Sequence, residues 1–99
     1  MDSERWNKMS ASEQILNIGG EVQRAVDRKE AGKKEESLKY FNLALDWIRL
    51  SKLDPKNHNR LEEFSVVENE LIDYFSTNGF KNDRNSIMTY WNSYFSAVI

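Results

Sequence analysis

SEQILNIGGEVQRAVDRKEAGKKEESLKYF, residues 12–41, is the stretch on which the fold turns, because helical spacing runs up to Gly32 and resumes after it. In its first half Ile15, Ile18, Val22, Ala25 and Val26 recur at intervals of three and four. At about 100° per residue they share one narrow stripe of a helix. Ser10, with Glu13 three residues on, reads as a capping box that opens this helix. Gly32, where a positive φ is easily adopted, closes it. The first helix is therefore expected from about Ser12 to Glu30. Two adjacent glycines sit inside it. Gly19 falls within the apolar stripe, between Ile15 and Val22, and predicts a close helix contact, since a missing side chain lets a neighbour approach nearer than the usual ~8–10 Å. A glycine costs about 1 kcal/mol against alanine in a helix, so a packing gain should offset it. Gly20 lies at the edge of the stripe, where no packing reason is evident and a bend is the alternative. A phosphate-cradling loop needs a strand before its glycines, and here a helix surrounds them.

The rest of the chain divides in the same way. A second helix is expected from about Lys33 to Leu53, ended by Asp54-Pro55 because the residue before proline is pushed out of the α region. A third runs from about Asn59 to Thr77 and ends at Asn78-Gly79. A fourth begins at Asn85 or Ser86, either a good N-cap, and continues close to Ile99. No segment sustains period-two alternation, so strands are not expected. The predicted fold is all-α, an antiparallel up-down four-helix bundle or close variant with the second helix central. Residues 1–99 read as one helical domain, with residues 1–10 as a flexible N-terminal arm.

The second helix is apolar on two sides. Leu38, Phe41, Leu45 and Ile48 form one stripe, and Tyr40, Leu43, Ala44, Trp47 and Leu50 form another. The fourth carries no charge from Asn85 to Ile99 but is rich in aromatic residues. One small bundle does not readily cover both surfaces, and leftover apolar patches usually mark an interface. Leu43, Trp47, Leu50, Tyr90, Trp91 and Phe95 are therefore expected at a homodimer contact, two-fold association being the commonest closed symmetry. In the third helix Glu68 falls between Phe64 and Leu71 on the apolar arc, and should be partly buried with a partner.

Chemistry is sparse. The 14 basic and 16 acidic side chains nearly balance, so no overall field draws the chain to nucleic acid or lipid. With no cysteine and one histidine, neither a disulfide nor a His/Cys metal cluster can form. No catalytic residue, cofactor or metal site is assigned. The absence of cysteine fits the cytoplasm, and neither a signal core nor a membrane span is seen. Arg49, Lys52, Lys56, His58 and Arg60 gather near the start of the third helix as a candidate anion site. The competing reading is that they balance the acidic third helix.

Two resemblances add to this. Residues 31–47, AGKKEESLKYFNLALDW, resemble the second half of a tetratricopeptide repeat, with Gly32, Ser37, Phe41 and Ala44 at matching offsets. That likeness covers about one helix and has no second copy in the chain, so it implies hairpin packing rather than an array. The order EVQRAVDRKEAG, FNLALDWI, ELIDYF and an aromatic last helix resembles a small prokaryotic all-helical family, similar in broad outline to HEPN domains. The resemblance implies a helical bundle. It also implies, as the alternative to a non-catalytic protein-interaction module, an RNA-processing or nucleotidyltransferase-associated role of toxin–antitoxin type. The ribonucleases of that group carry an arginine shortly before a histidine, whereas Arg49 and His58 here have eight residues between them.

Overall fold

The computed structural model describes residues 2–76 and 84–95. Over these residues the chain is all-helical. A short α1 (Ser3–Asn7) precedes α2 (Ala11–Glu30) and α3 (Lys34–Leu53); a 3-10 helix (Pro55–Arg60) then leads into α4 (Leu61–Ser76), and α5 (Arg84–Phe95) follows. No strand occurs among the described residues. The expected end of the third helix at Asn78-Gly79 and the continuation of the fourth beyond Phe95 lie outside them.

Local chemistry sets the helix ends. The Ser10 hydroxyl accepts from the Glu13 amide at 3.1 Å, and the Glu13 carboxylate accepts from the Ser10 amide at 3.1 Å. The two bonds form a complete capping box, and they hold the Glu13 carboxyl below its ordinary pKa. At the other end Gly32 has φ +77°, and the Lys33 amide donates back to the Arg28 carbonyl at 2.8 Å while the Gly32 amide donates to Lys29 at 3.1 Å. This is a Schellman closure, with glycine in the left-handed position. Asp54 is extended, with ψ 122°, so α3 stops at Leu53. The chain does not enter the next α-helix directly, as the expected start at Asn59 implied. Pro55 fixes φ and the Asp54 carboxylate accepts from the Lys56 amide at 3.1 Å, and together they wind residues 55–60 into the tighter 3-10 form first.

The stripes meet as their spacing requires. α2 packs against α3, α3 against α4, α4 against α5, and α5 returns to α2. Ile15, Ile18, Val22 and Val26 from α2, Ala44 and Ile48 from α3, Phe64, Val67, Leu71 and Tyr74 from α4, and Trp91 and Phe95 from α5 make one buried cluster. At the α2–α5 contact Gly19 meets the Trp91 indole. A methyl built there would lie 2.9 Å from the indole nitrogen and 3.2 Å from Cε2. The close neighbour is thus an aromatic face and not a second backbone. At Gly20 the same methyl would sit 3.4 Å from the Arg24 guanidinium, an ordinary contact, and α2 passes through the pair unbroken. Packing does not demand the second glycine.

The N-terminal arm expected to be flexible is instead structured. Residues 3–7 are helical, and Trp6 is completely buried, its ring 5.2 Å from that of Trp47. The reason is the size of the side chain: one indole buries enough apolar surface to fix a five-residue helix that could not persist alone.

Candidate functional site

Among the described residues, buried polar side chains gather where α1, the start of α2, the end of α3 and the 3-10 helix converge. Gln14, Ser51, Asp54 and Asn57 are all buried. The Gln14 amide nitrogen donates to the Trp6 carbonyl at 2.9 Å and to Asp54 Oδ2 at 2.8 Å. Its oxygen accepts from Asn57 Nδ2 at 2.8 Å, and that same nitrogen donates to the Ser51 carbonyl at 3.0 Å. The Trp6 indole N–H donates to Ser51 Oγ at 2.9 Å, and the Ser51 hydroxyl donates to the Trp47 carbonyl at 2.8 Å. Lys56 pairs with Asp54 and donates to the Asn7 carbonyl at 2.8 Å.

Burial opposes ionisation of the Asp54 carboxyl. Hydrogen bonds from the Lys56 side chain, from Gln14 and from the Lys56 amide, together with the Lys56 charge, outweigh it and hold the pKa below the ordinary aspartate value. Almost every donor and acceptor in the cluster is turned toward another member, and Asn57 Oδ1 is the exception, buried without a protein partner. Such a network specifies a packing arrangement.

Charged residues elsewhere are similarly committed. Glu68, with a side chain 14% exposed, takes Arg49 Nε at 3.0 Å and Lys52 Nζ at 3.1 Å. Of the candidate anion-site residues, Arg49, Lys52 and Lys56 are each engaged by an acidic side chain of this chain, while His58 is exposed and Arg60 half-buried. Glu68 and the buried Asp54 thus offset part of that positive charge. Among the described residues no group of His, Cys, Asp or Glu is placed to hold a metal ion. No described helix is long and apolar enough to cross a membrane.

A groove of about 320 Å³ opens between the ends of α2 and α4 and the start of α3, lined by Lys29, Lys34, Ser37, Leu38, Phe75 and their neighbours. Lys29 lies across it. Its ammonium donates to the Tyr74 carbonyl, in the last turn of α4, at 2.6 Å and sits 3.8 Å from the centre of the Tyr74 ring. Burial pushes the Lys29 pKa down. Ser37 is likewise turned inward, donating to the Ala25 carbonyl at 2.8 Å.

The expected interface residues separate into two groups. Trp91 and Phe95 are core, 4% and 0% exposed, with rings 4.7 Å apart and Phe95 packed on Phe64 at 4.8 Å. Their assignment to a dimer contact is corrected: α4 and the glycine-opened face of α2 cover them. The Tyr90 side chain lies outside what the structure describes. Leu43, Trp47 and Leu50 stay half-buried on α3, in a row with Tyr40. Trp6, Gln14, Ser51 and Asn57 were not singled out from sequence. A tryptophan alone in the polar segment MDSERWNKMS was the available signal, because so large an apolar side chain is seldom left in water.

No protein-family model matches this chain, nor does any curated protein or solved structure with which it was compared.

Proposed function

We propose that the chain is a non-catalytic helical protein-interaction module that acts as a homodimer, built on an antiparallel up-down bundle of α2, α3, α4 and α5 with α3 at its centre. One observation carries the reading: the row Tyr40, Leu43, Trp47 and Leu50 along α3 is only half-buried, with Tyr40 and Leu43 standing outside the core cluster and Trp47 and Leu50 packed on its margin. Its spacing of three, four and three residues keeps the row on one face, about 15 Å long at 1.5 Å per residue. A second copy related by a two-fold axis hides the same row twice. The polar side chains support the reading from the other direction, since Gln14, Ser37, Ser51, Asp54 and Asn57 all hydrogen-bond within the chain, and no acid, base and nucleophile converge on a cleft among the described residues.

Sedimentation equilibrium at micromolar concentration tests this, with Leu43→Asp as the probe because Leu43 lies outside the buried cluster. The wild-type chain should sediment as a dimer, and Leu43→Asp should weaken it at least tenfold while leaving helicity unchanged. A wild-type monomer across that range sinks the proposal.

A further inference from the structure

We propose that the two copies pair through α3 in antiparallel register, with Leu43 on the two-fold axis and Lys39 of each copy set against Asp46 of the partner subunit. The inference rests on the self-association reading and adds the direction and register of the contact. It comes from the charges beside the apolar row. At about 100° per residue, Lys39 and Asp46 both fall on one side of Leu43, by about 40° and 60°, while Trp47 and Tyr40 fall on the other side by the same angles. The row thus has a charged margin and an aromatic margin. Lys39 and Asp46 are exposed, opposite in sign, and outside every ion pair among the described residues. The Lys39 ammonium lies 5.9 Å from the centre of the Tyr40 ring, which keeps it beside the row. Neighbouring charges are spent within the chain, Glu36 on Arg28 and Arg49 on Glu68.

Spacing then fixes the arrangement. A two-fold axis perpendicular to α3 sets each margin of the helix against the same margin of the other copy and reverses the order of residues along it. Lys39 and Asp46 are seven residues apart, as are Tyr40 and Trp47, and both pairs are centred within half a residue of Leu43. With the axis at Leu43, each residue of a pair therefore misses its counterpart by only about 1.5 Å along the helix. Lys39 meets Asp46 of the partner subunit on one margin, and Tyr40 meets Trp47 of the partner subunit on the other. The symmetry makes each contact twice. A parallel pairing sets lysine against lysine and aspartate against aspartate, so the same two charges select against it.

Charge reversal in the full chain tests the register, read by sedimentation equilibrium at low and high salt. Lys39→Asp and Asp46→Lys each replace two attractions with two repulsions, and each should raise the dimer dissociation constant about fivefold or more at low salt and less at high salt. The double variant Lys39→Asp/Asp46→Lys restores both pairs with their signs exchanged, and its constant should return to within about twofold of wild type. Helicity should be unchanged in all three, because both positions face solvent. If the single reversals leave the constant unchanged, or the double variant stays as weak as they are, the register is wrong. A Leu43→Asp chain that still dimerises less tightly than wild type then shows that self-association stands. A monomeric wild-type chain overturns both.

Discussion

Replacing Gly19 by alanine adds one methyl group 2.9 Å from the Trp91 indole nitrogen and 3.2 Å and 3.3 Å from Cε2 and Cζ2 of the same ring. Those distances are shorter than ordinary van der Waals contact, and the indole has little room to retreat because Phe95 packs against it at 4.7 Å. Overpacking of this kind costs about 1–3 kcal/mol. Alanine also gains helix propensity over glycine, by about 1 kcal/mol. The adjacent glycine removes that second effect from the comparison. Gly20→Ala gains the same propensity but meets only the mobile end of Arg24 at 3.4 Å. Gly20→Ala should therefore stabilise by about 1 kcal/mol, and Gly19→Ala should fall below it by the overpacking cost of about 1–3 kcal/mol. Gly19→Leu should lie lower still. Urea melts of the three variants read the difference directly. Equal stability of the two alanine variants refutes the close contact as the reason for Gly19.

Trp6→Ala should cost about 3–5 kcal/mol in a thermal or urea melt, as expected for truncating a fully buried tryptophan, whereas removal of a flexible arm would cost nothing. Glu68→Ala should destabilise more than Glu62→Ala, but by only about 1 kcal/mol because Arg49 and Lys52 remain partly solvated, and the difference should shrink at high salt. For Asp54 the folded pKa lies below the unfolded one. Its contribution is therefore complete above about pH 4 and is lost as pH falls below that. Asp54→Asn should flatten this acid limb in pH-dependent melts. Gly32→Ala should cost about 1–2 kcal/mol, since φ +77° is strained for any residue with a β-carbon.

Local signals were readable and long-range ones were not. Ser10, Glu13, Gly32 and Asp54-Pro55 act through neighbours within a few residues, so their effect on helix ends follows from order alone, and the structure places those ends accordingly. The single stripe of α2 and the position of Gly19 in it were legible for the same reason. The partner of Gly19 was not, because periodicity says which face is buried but not by what. The uncharged last helix shows how this misleads. Trp91 and Phe95 looked like surplus surface, yet α5 is covered from both α2 and α4. The polar cluster was least visible. Gln14 and Asn57 are ordinary surface residue types, and only the meeting of segments 40 or more residues apart turns them inward.

The long reach of α1 has a consequence for the order in which the chain takes shape. The α2–α3 hairpin closes through contacts near in sequence and across a tight turn at Gly32, which favours fast formation. Trp6 must wait for Ser51, 45 residues later, and for the cluster around Asp54 and Asn57 that follows it. During synthesis at about 5–20 residues per second that delay is roughly 2–9 s. The first helix to emerge is thus seated only after both α2 and α3 have followed it, and over those seconds its indole has no pocket to fill.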